Sequence, residues 1–147
     1  MKKFIFILSL FISFSCFAQD DNLSKFEDRF SKCTNAFNEE NKSCSDISFT
    51  KCYYKRMEAH KTVQKCYKQI VTEMFEKFYG LSGKEAQERF DSYSKFIYEQ
   101  YFFLFSETNH CKKNNCGLSL YLYSEYATTK QIQDYINAII NSISARD

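Results

Sequence analysis

The scarcity of helix-breaking residues constrains the fold of this chain more than any other feature of its sequence. The chain has no proline, and its three glycines are Gly80, Gly83 and Gly117. Because the tight turns of a β-sandwich depend largely on these two residue types, the chain has little means of making them. Long helices are therefore expected, and the 16 phenylalanines and 11 tyrosines would supply much of their buried surface.

Apolar residues recur at helical spacing along most of the chain. The pattern predicts a first helix at about residues 22–40, a second at about residues 48–79, a third that begins after Ser82 and a fourth near the C-terminus. Gly80 stands where a glycine commonly ends a helix, and Ser82 with Glu85 has the order of a capping box. Four helices joined by short loops favour an all-α, up-and-down bundle.

Two stretches of these helices have an unusual composition. The end of the third helix, residues 101–105, is apolar on all sides, which predicts that it is buried against several neighbours. In the fourth helix, Thr128 and Thr129 mark the place where the helix could be interrupted, because β-branched residues have a reduced helix propensity.

The first eighteen residues have the order of a secretory signal peptide. Lys2 and Lys3 precede an apolar run over residues 4–14, and small residues follow before Gln19. The run is shorter than the ~20 residues that span a bilayer, and no later segment is long and apolar enough to cross one. We therefore predict a signal peptide at residues 1–18 and no transmembrane span.

Cleavage near Ala18 would leave residues 19–147 as a single helical domain in the periplasm or outside the cell. Lipidation of Cys16 is the alternative, and it is disfavoured because Ser13 stands where lipoprotein signals carry a large aliphatic residue. Removing the leader also changes 20 basic and 18 acidic residues into 18 of each. The resulting net charge near zero argues against binding of nucleic acid or another polyanion.

Six cysteines remain after the leader is removed, and an even number in an oxidising compartment predicts disulfide bonds. The candidates are Cys33, Cys44, Cys52, Cys66, Cys111 and Cys116. In an up-and-down bundle Cys33 and Cys52 could face each other across the first turn, which would leave Cys66 in mid-helix without a partner. Cys44 could bridge to either of the last two cysteines, which could equally bridge each other, so the connectivity stays open.

Two stretches of the middle helices resemble the LprI-type lysozyme inhibitor-like proteins of bacterial envelopes. Residues 59–67 are similar to the family's Ala-Asp-x-x-Leu-Asn-x-x-Tyr, and residues 86–93 are similar to its Ala-Gln-x-x-Trp-x-x-Tyr. The spacing is kept better than the identities, since His60 replaces Asp, Val63 replaces Leu, Gln64 replaces Asn and Phe90 replaces Trp. The resemblance covers about residues 44–101.

The resemblance implies a secreted, disulfide-bonded helical domain, some of whose relatives inhibit lysozyme. The matched positions have a structural interpretation as packing residues: Ala59, Val63, Gln64, Tyr67, Gln87, Phe90 and Tyr93. Tyr67 and Phe90 are expected to meet where two adjacent helices pack, and Gln64 and Gln87 could join that contact by hydrogen bonding. Similarity of fold does not by itself fix the function.

The sequence does not assemble a catalytic or metal-binding site. His60 lies among several lysines and Arg56, which predicts a solvated helix face rather than a metal ligand. Glu58 lies two residues from His60, so the two side chains point apart on a helix. His110 beside Cys111 resembles a ligand pair, but a disulfide is favoured for that cysteine outside the cytosol. We expect no enzyme activity, no metal and no cofactor.

A run of basic residues follows the second helix from Lys51 to Lys68, with Tyr53 and Tyr54 interleaved. Such a surface could bind an anionic glycan or phospholipid, but a solvated face balanced by the acidic first helix is favoured. Asn22 and Asn41 match the glycosylation acceptor pattern, which matters only in a eukaryotic host.

The sequence therefore predicts a secreted or periplasmic binding protein with a protein partner, and inhibition of a lysozyme-like cell-wall hydrolase is the sharpest version of this prediction. The candidate partner-binding loop lies between two cysteines, because a constrained loop loses less entropy on binding. It consists of Lys112, Lys113, Asn114 and Asn115. The alternatives are an immunity protein against a periplasmic toxin and a non-catalytic envelope protein with a structural role.

Overall fold

The structure is a computed structural model, which describes residues 22–40, 48–108 and 116–145. The described residues form four helices and no strand: α1 at residues 22–40, α2 at Phe49–Tyr79, α3 at Gly83–Ser106 and α4 at Gly117–Ser144. The predicted all-α class is confirmed. The predicted signal peptide lies outside the described residues. Within the described ranges, no helix combines the length and the hydropathy needed to cross a membrane.

Local sequence sets the boundary between α2 and α3. α2 ends at Gly80, whose φ of 67° lies in the left-handed region that favours glycine, and the Gly80 N–H donates to the Phe75 carbonyl. Ser82 then caps α3, because its hydroxyl accepts from the Glu85 N–H at 3.3 Å while the Glu85 carboxylate accepts from the Ser82 N–H at 3.1 Å. The predicted capping box is confirmed.

Ring contacts show that α1 and α2 are antiparallel. The Phe26 ring, near the start of α1, lies 5.9 Å from that of Phe78 near the end of α2. Near the end of α1, the Phe37 ring lies 4.8 Å from that of His60, which stands earlier in α2.

Ring contacts also fix the relative direction of α3 and α4. The Tyr93 ring lies 4.8 Å from that of Tyr135, and the Phe105 ring lies 5.7 Å from that of Tyr123. Later residues of α3 thus meet earlier residues of α4, so these helices are antiparallel as well. α2 and α3 are antiparallel too, because a three-residue turn joins them and Lys68, before the end of α2, pairs with Asp91, after the start of α3. The four helices therefore alternate in direction, as an up-and-down bundle requires.

The buried core lies in the part of the bundle that holds the C-terminal turns of α2 and α4, and we call this part the packed half. Its buried members are Leu23, Phe26, Phe30, Val63, Tyr67, Ile70, Val71, Met74, Phe90, Ile132, Ile136, Ile139, Ile140 and Ile143. All four helices contribute to it. Within α3 the buried residues are Ala86 and Phe90, both in its first turns.

The last turns of α3 are more exposed than predicted. Phe103 is 63% exposed and Leu104 is 56% exposed. The prediction that residues 101–105 are buried against several neighbours is wrong. The described part of α1 makes its last ring contact with α2 at the Phe37–His60 pair, so fewer of the described helices surround α3 at this end.

α4 continues without interruption through its threonine pair. The hydroxyl of Thr128 donates to the Ser124 carbonyl at 2.7 Å, and the Ser124 hydroxyl donates to the Leu120 carbonyl at 2.9 Å. Each hydroxyl thereby finds an acceptor within its own helix. The possible interruption at Thr128 and Thr129 is not found.

Cys33 of α1 and Cys66 of α2 form a disulfide bond, with their Cα atoms 6.3 Å apart. The possible pairing of Cys33 with Cys52 is therefore excluded, and Cys66, whose pairing the sequence leaves open, has Cys33 as its partner. The antiparallel register explains this pairing. Because Phe37 already contacts His60, Cys33 one turn earlier in α1 faces a later turn of α2.

Candidate functional site

Hydrogen-bonded polar side chains cross the interface between α2 and α4, and we call them the polar layer. His60 Nδ1 lies 2.9 Å from the Thr129 hydroxyl. Gln64 Nε2 donates to that hydroxyl at 3.0 Å and to Glu125 Oε2 at 2.9 Å. Because buried polar groups cost free energy unless they are hydrogen-bonded, this layer favours one register between the two helices.

His60 is buried, with 1% of its surface exposed. The prediction that it lies on a solvated face is wrong, because its ring belongs to the apolar stripe of α2. It stands seven residues after Tyr53 and seven before Tyr67, a spacing that returns to the same face every two turns. That spacing is the sequence signal that identifies His60 as a buried residue, despite the lysines beside it.

The environment of His60 keeps its imidazole neutral at pH 7. Burial, and then the positive charge of Arg56, lowers the pKa of His60 to about 4. The Thr129 hydroxyl accepts from Gln64, so its own hydrogen is available to His60 Nδ1. This arrangement favours the tautomer that carries the proton on Nε2.

A cleft of about 220 Å³ opens beside His60 between α2 and α4. Its lining consists of Arg56, His60, Leu122, Tyr123 and Tyr126. The Nε of Arg56 is buried and has no hydrogen-bond partner among the residues that the structure describes. An arginine beside aromatic rings is a typical group for binding an anion.

Several large apolar residues are exposed in the second half of α3 and in the first turns of α2 and α4, and we call these residues the aromatic end. It comprises Tyr54, Phe96, Phe103, Leu104, Leu118, Tyr121, Tyr123 and Tyr126. Ring pairs join α3 to α4 here, since Phe102 lies 5.3 Å from Tyr121 and Phe105 lies 5.7 Å from Tyr123. Exposed apolar clusters mark interaction surfaces more often than isolated exposed residues do.

A second groove, of about 400 Å³, lies along α2 and reaches α3. Its lining consists of Lys65, Lys68, Gln69, Thr72, Glu73 and Gln87. Lys68 pairs with Asp91 at 2.7 Å, and Glu73 pairs with Arg29 of α1. Because two of its charged groups already have partners, this groove is a weaker candidate than the cleft beside His60.

The positions that carry the family resemblance lie mostly inside the bundle. Ala59, Val63, Tyr67 and Phe90 are buried. The hydroxyl of Tyr67 lies 2.8 Å from Thr34 Oγ1 of α1, and Tyr93 packs against α4. Gln64 bonds to α4 rather than to α3, and Gln87 is exposed. The two glutamines therefore do not form the expected α2–α3 contact.

The predicted partner-binding loop lies outside the described residues. The loop consists of Lys112, Lys113, Asn114 and Asn115. Four other residues named from the sequence also lie outside the described residues: Asn41, Cys44, His110 and Cys111. The described residues that flank the loop in sequence, Thr108 and Cys116, belong to the same end of the bundle as the aromatic end. Cys52 and Cys116 are each disulfide-bonded.

In the described parts of the chain, no three His, Cys, Asp or Glu side chains are arranged to hold a metal ion. Comparison with family models, curated proteins and solved structures gives no significant match. The resemblance to the LprI-type proteins stays a prediction. The cleft beside His60 and the aromatic end are the two candidate sites of the described structure.

Proposed function

We propose that this protein is a non-catalytic binding protein of the periplasm or the secreted space, which inhibits a lysozyme-like cell-wall hydrolase by docking its aromatic end onto the enzyme. The observation that carries the proposal is the exposure of large apolar side chains at that end, such as Phe103 at 63% and Tyr123 at 59%. Soluble monomers seldom expose a large contiguous apolar surface unless it serves an interaction.

Aromatic residues at this position suit a protein interface. They bury a large area on binding and lose little conformational entropy, which is why they dominate the energetic centres of interfaces. The ring contact of Tyr123 with Phe105 restricts the rings before any partner arrives. Restricted side chains lose less entropy on binding, which favours affinity.

Charge near the aromatic end suits a partner with an acidic cleft. Lys51 and Lys61 of α2 are exposed, and Arg56 lies between them in sequence. Glycoside hydrolases hold a pair of carboxylates in the active-site cleft, and complementary charge speeds association and disfavours wrong partners. The basic first turns of α2 therefore support a hydrolase partner, although Glu58, Glu107 and Glu125 lie at the same end and residues 19–147 carry no net charge.

The covalent chemistry supports the extracytoplasmic location. A Cys33–Cys66 disulfide persists in the periplasm or outside the cell, whereas the cytosol normally keeps thiols reduced. The location agrees with the signal peptide predicted from residues 1–18.

The test is a lysis assay with purified c-type lysozyme and bacterial cell walls, with the oxidised protein added at increasing molar excess. We expect the wild-type protein to slow lysis. The Phe103→Ala/Leu104→Ala variant removes two exposed side chains of the aromatic end, and we expect it to raise the inhibitory concentration by about tenfold or more.

Tyr79→Ala is the matched control, because Tyr79 is an exposed aromatic residue at the opposite end of the bundle, 36% exposed. We expect this control to inhibit within about twofold of wild type. Undiminished lysis at molar excess of the wild-type protein would overturn the hydrolase as partner. Equal inhibition by wild type and by the Phe103→Ala/Leu104→Ala variant would overturn the aromatic end as the docking surface.

A further inference from the structure

The guanidinium of Arg56 has no anionic partner in the described structure. Its Nε is shielded from solvent and has no acceptor, and the ion pairs among the described helices join other residues. Arg29 of α1 differs, since it forms a two-fold hydrogen-bonded pair with Glu73. A buried donor without an acceptor is unfavourable, so rotation of Arg56 onto an anion in the cleft would be favourable.

A second hydrogen-bond donor stands one helical turn from Arg56. His60 is four residues further along α2, so the two side chains lie on the same face of the helix, and both line the cleft. Of the two ring nitrogens of His60, only Nδ1 is hydrogen-bonded to another described residue, Thr129. With the ring neutral and Nδ1 engaged, the Nε2–H is left for a ligand.

The size and the walls of the cleft limit what it can hold. Its volume of about 220 Å³ is below the roughly 300–1,000 Å³ of typical small-molecule sites, so it suits one side chain or one small acid. Leu122, Tyr123 and Tyr126 supply apolar and aromatic walls. A ligand that fills the cleft should therefore carry an apolar group next to its charge.

The charge of the cleft favours a carboxylate over a phosphate. Arg56 is the one permanent cation among the described residues that line it, because His60 stays neutral at pH 7. A phosphate group carries close to two negative charges at this pH and would remain half unneutralised. A carboxylate matches one guanidinium in charge and in the geometry of its two oxygens.

We propose that the cleft beside His60 binds a carboxylate borne next to an apolar or aromatic group, with Arg56 as the anchoring cation. The inference rests on the proposed function for the identity of the ligand: if a partner protein docks at the aromatic end, one of its acidic side chains occupies the cleft. A free aromatic acid presents the same chemistry, so the experiment separates the two sources.

The experiment follows backbone amide signals of the oxidised protein by NMR during titration with three probes. N-acetylphenylalanine carries a free carboxylate beside a ring, and its primary amide lacks the charge. N-acetyl-aspartyl-phenylalanine amide carries the carboxylate on a side chain, as a protein partner would. We expect saturable shifts at Arg56, His60 and Tyr123 with the charged probes, and at least about tenfold weaker binding of the uncharged amide.

The two charged probes identify the source. Tighter binding of the aspartyl peptide indicates a partner's side chain, and tighter binding of N-acetylphenylalanine indicates a free acid. Either result supports the carboxylate site. Equal binding of N-acetylphenylalanine and its uncharged amide overturns the site, and so does the absence of shifts at the cleft.

Three variants test the role of Arg56. We expect Arg56→Gln to weaken binding of the charged probes by about tenfold or more. The affinity of Arg56→Lys should lie between that of Arg56→Gln and that of wild type, because lysine keeps the charge but loses the paired N–H donors of the guanidinium. Lys61→Gln is the control, since it removes one exposed positive charge from the same helix outside the cleft. Unchanged binding by Arg56→Gln overturns the assignment.

The outcome is independent of the lysis assay. If the wild-type protein inhibits lysozyme but binds none of the carboxylate probes, this inference alone is overturned. The two assays are separable because Phe103 and Leu104, which the docking variant changes, do not line the cleft. Intact carboxylate binding without lysozyme inhibition would overturn the proposed hydrolase partner alone.

Discussion

In the packed half of the bundle most aromatic rings are buried or half-buried, whereas at the aromatic end several residues of the same types face solvent. Tyr67 is fully buried among isoleucines, while Phe103 and Tyr123 are more than half exposed. The number of surrounding helices explains the difference, since all four helices contribute to the packed half and the last described ring contact of α1 with α2 is at His60. Under the proposed function, stability and recognition therefore belong to opposite ends of one bundle.

The polar layer marks the boundary between the two regions. His60, Gln64 and Thr129 exchange hydrogen bonds where apolar packing gives way to exposed rings. A partly satisfied buried network would be destabilising, and Glu125 completes this one by accepting from Gln64. The layer therefore holds α2 and α4 in the register that forms the cleft above it.

The largest stability effect is expected from the cross-link that joins α1 to α2. Replacing both cysteines in Cys33→Ala/Cys66→Ala opens a loop with a sequence separation of 33, and chain entropy predicts a loss of roughly 3.7 kcal/mol in the free energy of unfolding. Urea unfolding without reductant measures it. A loss below about 1 kcal/mol would show that the cross-link does little for the packed half.

Truncation of a core side chain should lower the free energy of unfolding slightly less than loss of the disulfide does. Ile136 has no exposed surface, and Ile136→Ala should lower the free energy of unfolding by about 3 kcal/mol, because it removes buried methyl groups and leaves a cavity. The urea midpoint should fall while the slope of the transition stays constant. If the cost were below about 1 kcal/mol, the packed half would not be the source of stability.

The boundary between the two regions should respond to pH through His60. Its pKa in the folded protein, about 4, lies below its unfolded value near 6.5. Its contribution to stability is therefore complete above pH 6.5 and is lost as the pH falls towards 4, by about 2 kcal/mol between pH 7 and pH 5.

Comparison of wild type with His60→Gln isolates this effect. We expect the variant to be less stable at pH 7 and to show a flatter decline between pH 7 and pH 5, as measured by urea unfolding at several pH values. Parallel profiles for the two proteins would contradict the assignment of a neutral, buried His60.

The smallest stability effect is expected at the aromatic end. Phe103→Ala removes a side chain that is 63% exposed, so the free energy of unfolding should change by less than about 0.5 kcal/mol. The urea midpoint measures it, with Ile136→Ala as the buried counterpart. A cost comparable to that of Ile136→Ala would erase the contrast between the two regions.

Local signals in the sequence predict the helices well. Gly80 and the Ser82–Glu85 pair act within one or two turns of the chain, and both do what their residue types predict. The exposure of Phe103 differs from the prediction, because the exposure of a side chain depends on how many helices surround that residue and not on the neighbours of the residue in sequence. Hydrophobic residues are common both inside and on the surface, so composition alone could not separate the two regions.

The remaining differences between prediction and structure depend on how the helices are offset along one another. The pairing of Cys33 with Cys66 follows from the offset between α1 and α2, which helix limits alone do not give. His60 was obscured by its charged neighbours, although its spacing from Tyr67 places it on the buried stripe. Arg56 and Tyr123 meet at one cleft only because α2 and α4 pack together, which no local pattern shows.

Hydrogen exchange of the oxidised protein, followed by mass spectrometry with and without c-type lysozyme, tests the central claim most directly. We predict that the enzyme slows exchange in residues 96–106 of α3 and residues 117–126 of α4, and leaves the exchange of residues 132–144 unchanged. Protection confined to α1 or to the C-terminal turns of α4, or no protection at saturating enzyme, would contradict the claim that the aromatic end is the binding surface.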